Sequence, residues 1–164
     1  MFKKLFITLT LFLSIYILFQ LFLMRFVFSF PSPLHSCLDA SLFIIDKWDK
    51  EYSKGDIMAF EFQRDGDMVF GDRKMQFIKR VAAKGGDLVR VTPTEVSVNN
   101  EAPVELSMIL SAHALKVKAS EYQREIEVPS DSFFALGETL NSYDSRYWGT
   151  VENSKIIGKA YAIF

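Results

Sequence analysis

The stretch KMQFIKRVAAKGGDLVRV, residues 74–91, has the pattern of two strands joined by a turn. Its first half alternates between two sets of side chains, and one set is Met75, Phe77, Lys79 and Val81. A period of two is typical of a β-strand. Gly85, Gly86 and Asp87 then supply a turn before LVRV begins a second strand. The stretch therefore predicts a β-hairpin.

Lys79 is the unusual residue of this stretch. It is in phase with Phe77 and Val81, on the face that a one-sided sheet would bury, whereas Arg80 points the other way. One interpretation is that the lysine stem lies along the sheet and its ammonium reaches water. The other is that burial disfavours the charged form and makes the amine a usable base near neutral pH. The second interpretation requires a nucleophile elsewhere in the chain.

The chain beyond residue 40 repeats the same organisation of short strands and turns. Turns are indicated by SKGD (53–56), RDGD (64–67) and the Asn-Asn pair at 99–100. Further strands are predicted in SLFIIDKWD, IMAFEF, REIEVP, SFFALG and KIIGKAYAIF, the last with an irregularity at Gly158. This spacing predicts a mainly antiparallel β domain. Residues 106–122 are compatible with a short helix or with an exposed loop.

The N-terminus is strongly apolar. Residues 5–24 carry no charge, and Gln20 is their only strongly polar side chain. Twenty helical residues cover a hydrocarbon core about 30 Å thick. A cleaved signal peptide would have a shorter apolar region ending in small residues. We therefore expect residues 1–30 to form a membrane anchor that spans at about 5–24, and residues 31–164 to form one extracytoplasmic domain. Lys3 and Lys4 favour a cytoplasmic N-terminus.

Composition excludes several classes of function. A net charge of −1 and a pI near 6.1 offer no basic surface for nucleic acid. A single cysteine cannot form an intramolecular disulfide. One cysteine and two histidines in the whole sequence are too few to indicate a dedicated zinc site. No segment has the pattern of a phosphate-binding loop or a dinucleotide fingerprint. We expect no cofactor, no metal and no nucleic-acid partner.

Three segments together resemble the signal peptidase I family of membrane-bound serine peptidases. PSPLHSCLDASLFIIDK is similar to the segment that carries the family's nucleophile, with Ser36 in that place. KGDIMAFEF and QFIKRVAAKGGD are similar to a strand pair whose Ile-Lys-Arg-Val run carries the general base, and Lys79 falls on that lysine. ALGETLNSYDSRYWGTV resembles the family's Asn-Ser-X-Asp-Ser-Arg-X-Trp-Gly box.

This resemblance implies a mainly β, antiparallel fold and a serine endopeptidase that removes leader sequences from exported precursor proteins. Ser36 and Lys79 would form a catalytic dyad, Ser142 would hydrogen-bond Lys79, and Asp144 and Arg146 would form a supporting ion pair. A serine hydroxyl needs a base to take its proton. Only about one free lysine in two thousand is neutral at pH 7, so the base has to be desolvated. The family commonly cuts after Ala-X-Ala.

The departures from the family pattern concern the substrate. Leu34 stands where many relatives have a serine whose hydroxyl stabilises the oxyanion, which leaves the backbone N–H of Ser36. GETLNS also replaces the usual start of the box. With these departures the chain resembles the short conjugative-transfer branch of the family, the TraF-type peptidases. In that branch the substrate is a pilin or another secreted transfer protein.

Three alternatives remain open from the sequence. Cys37 with His35 or His113 would make a thiol peptidase, although such a pair normally comes from distant segments. The second alternative is an inactive, membrane-anchored pilus-assembly protein with the same fold. The third is a general leader peptidase.

Overall fold

The computed structural model describes residues 2–31 and 37–163. One long helix, α1 (Phe2–Arg25), precedes the β domain. The strands, in chain order, are β1 (Phe26–Ser29), β2 (Phe43–Asp46), β3 (Ile57–Phe62), β4 (Met75–Lys84), β5 (Leu88–Val91), β6 (Glu95–Val98), β7 (Val104–Glu105), β8 (Arg124–Glu127), β9 (Ser132–Leu136), β10 (Val151–Glu152) and β11 (Ile156–Ala162). Two short α-helices, α2 (Ile109–Leu115) and α3 (Ser145–Trp148), and two 3₁₀ turns, Ala119–Tyr122 and Asn153–Lys155, complete the described elements.

The strands form two antiparallel sheets. The larger has seven strands in the order β1-β2-β11-β3-β4-β9-β10, and the smaller has four in the order β7-β6-β5-β8. Side chains of both sheets meet in one buried cluster, in which Val89 and Val96 of the small sheet join Phe60, Val81 and Phe133 of the large one. The prediction of a mainly antiparallel β domain behind an apolar N-terminal helix is confirmed.

The predicted hairpin at residues 74–91 is wrong, although both of its strands exist. β4 pairs with β3 and β9, whereas β5 pairs with β6 and β8 in the other sheet. The turn explains why. The N–H of Gly86 donates to the carbonyl of Val128 at 2.8 Å, and the N–H of Val128 donates to the carbonyl of Asp87 at 2.9 Å. These bonds direct the chain from the turn toward β8 instead of back along β4.

The expected phase of β4 is confirmed. Lys79 is 2% exposed and Val81 is completely buried, while Arg80 faces the opposite side and contacts Glu138. Lys79 lies opposite Met58 of β3, which is itself buried. The period of two therefore places the amine of Lys79 inside the domain.

Strand β1 lies within the segment 1–30 that the sequence assigned to the anchor. The helix ends at Arg25, and the next four residues pair with β2 in the register Phe26↔Asp46. A salt bridge of 2.5 Å joins Arg25 Nη2 to Asp46 Oδ2 at the junction. Residues 26–29 thus belong to the sheet. Helix α1 is long and apolar enough to cross a membrane.

Residues 106–122, which the sequence left undecided, contain helix α2 and a 3₁₀ turn at Ala119–Tyr122. Lys116 ends α2 in the left-handed conformation, with φ at 58°. The irregularity expected at Gly158 is confirmed as a register shift in the pairing of β11 with β3. A side chain at this glycine would lie 2.2 Å from the carbonyl oxygen of Asp46.

An ion pair fastens β11 to the start of β3. Lys159 Nζ contacts Asp56 Oδ2 at 2.7 Å, and the same oxygen accepts the N–H of Ser53 at 2.8 Å. The hydrogen bond from Lys159 lowers the pKa of Asp56 below its ordinary value. A carboxyl group whose pKa is lowered by folding stabilises the protein above its unfolded pKa, and this stabilisation is lost as the pH falls through the folded pKa.

We expect Asp56→Asn to lower the free energy of unfolding at pH 7 and to reduce its decline on acidification below about pH 4. The reason is that the substitution removes the carboxylate whose ionisation is linked to folding. Urea unfolding of the full chain in detergent between pH 7 and pH 3 measures both effects. Asp65→Asn, in an exposed turn, is the matched control. An acid slope of Asp56→Asn identical to that of the wild type would contradict the linkage.

Candidate active site

The buried amine of Lys79 has one hydrogen-bond partner among the described residues. Its Nζ lies 2.9 Å from Ser142 Oγ. The Phe77 ring lies on the same strand, with its centroid 5.6 Å from Nζ. No carboxylate of residues 2–31 or 37–163 forms a salt bridge with Lys79. Within the part of the chain that the structure describes, the amine thus has one neutral hydroxyl partner in a mainly apolar environment.

Ser142 reaches Lys79 because the chain passes very close to Gly137. A Cβ atom at Gly137 would lie 2.1 Å from Ser142 Oγ and 2.8 Å from the carbonyl oxygen of Cys37. Such distances are far below van der Waals contact, so only glycine fits at this position without moving its neighbours. Gly137, which follows β9, therefore allows Ser142 to pack against the end of that strand.

A buried ion pair fixes the turn that carries Ser142. Arg146 and Asp144 are both fully buried, and their side chains meet in a two-pronged contact of 2.7 and 2.8 Å. Arg146 also donates to the carbonyl of Ser142 at 3.2 Å and to that of Leu106 at 2.8 Å. The ion pair anticipated between these two residues is present. It joins the turn to the segment that precedes α2.

Two further hydrogen bonds attach the same turn to β9. The N–H of Gly137 donates to Asp144 Oδ2 at 3.0 Å, and the N–H of Ala135 donates to Ser145 Oγ at 2.9 Å. Asp144 also caps α3 by accepting the N–H of Arg146. The carboxylate thus has a donor on each oxygen, as a buried charge requires.

Lys79 lies in a groove of about 760 Å³, here called the Lys79 groove. Its lining is mainly apolar and comes from strand β4, helix α2, the chain after α1, and the turns that precede β4 and α3. The lining side chains are Ser29, Phe30, Pro31, Cys37, Leu38, Phe43, Val69, Phe70, Met75, Gln76, Phe77, Ile78, Lys79, Ser111, Ala114, Leu115, Thr139, Asn141 and Tyr143.

Ser36, Leu34 and His35 lie outside the described residues. The chain resumes at Cys37, whose carbonyl oxygen accepts the N–H of Glu138 at 2.7 Å and which lines the Lys79 groove. His113 is exposed on α2 and is not part of the groove lining. The structure therefore brings Lys79, Ser142, Asp144 and Arg146 together.

Sequence reasoning missed several groove residues. Tyr143 was treated only as a variable position in the box, and Val69, Phe70 and Leu115 were assigned no role. Phe70 lies in a turn and Leu115 ends the seven-residue helix α2, and both segments are too short for a period of 2 or 3.6 to place these partly buried side chains. Only the tertiary fold brings them next to β4.

The family described as "Signal peptidase, peptidase S26" matches residues 1–164. The chain belongs to this family. It is similar to "Probable signal peptidase I-2" of Synechocystis sp., at 38% identity over 89 residues, which are 54% of this chain and 38% of that protein. It is also similar to "Signal peptidase I" of Leptolyngbya laminosa, at 42% identity over 90 residues, 54% of this chain and 40% of that protein.

The alignments with these two signal peptidases span about two-fifths of their length. A longer alignment joins the chain to "Signal peptidase I U" of Bacillus subtilis, at 27% identity over 135 residues, 77% of this chain and 67% of that protein. Among solved structures, a signal peptidase I from Enterococcus faecalis matches with 23% identity and a TM-score of 0.41, covering 68% of this chain and 97% of that one.

The buried ion pair of this S26 family member should dominate the stability of the site. We expect Arg146→Met to lower the free energy of unfolding by about 3–5 kcal/mol, because it leaves the Asp144 carboxylate buried without its charge partner. Urea unfolding of the full chain in detergent, followed by tryptophan fluorescence, measures the loss.

Arg90→Met is the matched control, since Arg90 pairs with Glu125 on the surface, where the two side chains are 60% and 50% exposed. Exposed pairs contribute about 0–1 kcal/mol. An equal decrease in the free energy of unfolding for the two variants would contradict the expectation that the buried pair contributes more than the exposed one.

Proposed function

We propose that this protein is a membrane-anchored serine endopeptidase that removes leader sequences from exported precursor proteins. Ser36 is the nucleophile and Lys79 is the general base. The observation that carries the proposal is the buried amine of Lys79, 2% exposed and 2.9 Å from Ser142 Oγ, at the wall of a mainly apolar groove. Membership of the signal peptidase family supports the same reaction.

Ser36 is proposed as the nucleophile because its segment resembles the one that carries the nucleophile in the signal peptidase I family, and the position of its neighbour Cys37 agrees with this. Ser36 is joined directly to Cys37, which lines the Lys79 groove, so a hydroxyl at position 36 is one residue away from the groove wall. In this reaction the neutral amine of Lys79 takes the hydroxyl proton as the serine oxygen attacks the peptide carbonyl. The resulting ammonium then gives that proton to the departing amine, which leaves an acyl-enzyme that water hydrolyses.

The surroundings of Lys79 are mainly apolar. The side chain is buried between Phe77 and Val81 on β4, and no carboxylate of the described residues forms a salt bridge with it. Ser142 Oγ accepts a hydrogen bond from Lys79 Nζ and holds the amine in a fixed direction. The Asp144–Arg146 pair acts one step further away, since it holds the turn on which Ser142 lies.

We propose that α1 spans the cytoplasmic membrane with its N-terminus inside, so that the β domain lies on the outer, periplasmic side. Lys3 and Lys4 precede the apolar span, in agreement with the positive-inside tendency. At the other end, the guanidinium of Arg25 lies over the ring of Trp48 at 5.5 Å, and Trp48 is 65% exposed. Exposed tryptophan is enriched where a protein meets the membrane surface.

For the substrates, we propose pilins or other secreted conjugative-transfer proteins. This narrower assignment rests on the similarity of the box and of the Ser36 segment to the TraF-type branch. Purified candidate pilin precursors, compared with a general secretory precursor that carries Ala-X-Ala, would distinguish a transfer peptidase from a general leader peptidase.

We expect Lys79→Ala to lower the cleavage rate by about 100- to 10,000-fold, the usual contribution of a general base. Lys79→Arg should be equally impaired because a guanidinium stays protonated. Ser36→Ala should abolish cleavage, since the attacking oxygen is gone. The assay is cleavage of precursor proteins by the full chain in detergent, read on gels.

Lys84→Ala, at the exposed end of the same strand, and Ser120→Ala, on the surface, are the matched controls and should retain wild-type rates. Cleavage at the same rate by wild type and dyad variants would contradict the proposal. Cleavage of no precursor by any version would favour the non-enzymatic assembly role.

A further inference from the structure

The hydroxyl of Tyr143 makes a hydrogen bond that the proposed reaction does not explain. It donates to Asp67 Oδ2 at 2.6 Å, across 76 residues of sequence. Tyr143 lies between Ser142, which contacts Lys79, and Asp144, which pairs with Arg146. Burial, and then the hydrogen bond to Asp67, raises the pKa of Tyr143 above its ordinary value, so the hydroxyl keeps the proton that it donates.

Asp67 in turn organises the turn between β3 and β4, here called the 67–71 loop (Asp67–Gly71). Its side chain is nine-tenths buried, and its Oδ1 accepts the backbone N–H groups of Val69 and Phe70, each at 2.9 Å. Its carbonyl accepts the N–H of Gly71 at 2.8 Å, where the chain turns with φ at +60°. One aspartate therefore fixes the backbone of the whole loop and binds it to Tyr143.

The 67–71 loop is a wall of the Lys79 groove, since both Val69 and Phe70 line it. The Phe70 ring is held by other aromatic rings, at centroid distances of 5.4 Å from Phe77 and 6.2 Å from Tyr143. Phe77 is two residues before Lys79 on β4. The wall therefore packs against the strand that carries the base, and the bond between Tyr143 and Asp67 ties it to the turn of Ser142.

We propose that Tyr143 and Asp67 are positioning residues that hold the 67–71 loop against the Lys79 groove and thereby exclude large side chains next to the cleaved bond. This inference rests on the proposed function. A loop held only by its backbone bonds would move away from an entering leucine at little cost. A loop tied to the turn of Ser142 cannot move without disturbing a buried, charge-assisted hydrogen bond.

The test uses two fluorogenic peptides that differ only in Ala or Leu immediately before the cleaved bond, with the full chain in detergent. We expect Tyr143→Phe to reduce the preference for Ala over Leu, as a ratio of kcat/KM, by about tenfold. KM for the Ala peptide should rise, with kcat changed less than about twofold, because Ser142 still orients Lys79. Hydrogen exchange of residues 67–71 should accelerate by about the same factor.

Tyr52→Phe is the matched control. Its hydroxyl also donates a 2.6 Å hydrogen bond, to Asn153, but it does not line the groove, so selectivity and loop exchange should stay at wild-type values. Asp67→Asn retains an oxygen for the loop amides and a partner for the tyrosine hydroxyl, and it should rescue most of the preference that Asp67→Ala loses. Unchanged selectivity in Tyr143→Phe, or faster exchange without any change in selectivity, would overturn the inference.

Failure of the proposed function has a different signature, namely no cleavage of either peptide by the wild type. In that case the anisotropy of the intact peptides gives the ratio of their Kd values, and a tenfold loss of preference in Tyr143→Phe still supports the inference. A wild type that binds neither peptide, or binds both equally, overturns it.

Discussion

The geometry of the site depends on a guanidinium that has no access to water. Arg146 is completely buried, and its guanidinium donates to oxygens of Asp144, Ser142 and Leu106. An ionised group in this position is tolerated because each of its three nitrogens donates to an oxygen and a carboxylate balances its charge. The matching is what specifies the turn, since any other path of residues 142–146 would leave the charge unsatisfied.

From this constraint the environment of Lys79 follows. The turn packs closely against Gly137, and this places Ser142 Oγ 2.9 Å from the amine of Lys79 on strand β4. Neither residue could find the other by local preference, because 63 residues separate them. A polar pair of this kind is usually solvated on a protein surface. Here both residues are buried, with the Phe77 ring beside the amine, and Lys79 and Phe77 both line the groove.

The sequence predicted the local features well and the long-range ones poorly. The strand period placed Lys79 on the buried face because alternation is a backbone property that neighbouring residues share. The turn at residues 85–87 was also predicted, but the partner of the strand after it was not, since the bonds to Val128 come from a distant segment. The four residues of β1 directly follow the apolar residues of α1, and in such a continuous apolar run the sequence pattern does not distinguish a short strand from the end of a helix. The contact of Tyr143 with Asp67 had no local signal at all.

Strand β1 has a mechanical consequence for the domain. Because it begins immediately after α1 and pairs with β2, no slack chain separates the helix from the sheet. Its four residues extend about 13 Å at about 3.3 Å each, and the Arg25–Asp46 contact braces the joint. With α1 in the membrane, as proposed above, a domain mounted in this way would be held at one height above the lipid. The proposed peptidase would then meet peptide bonds at a single depth.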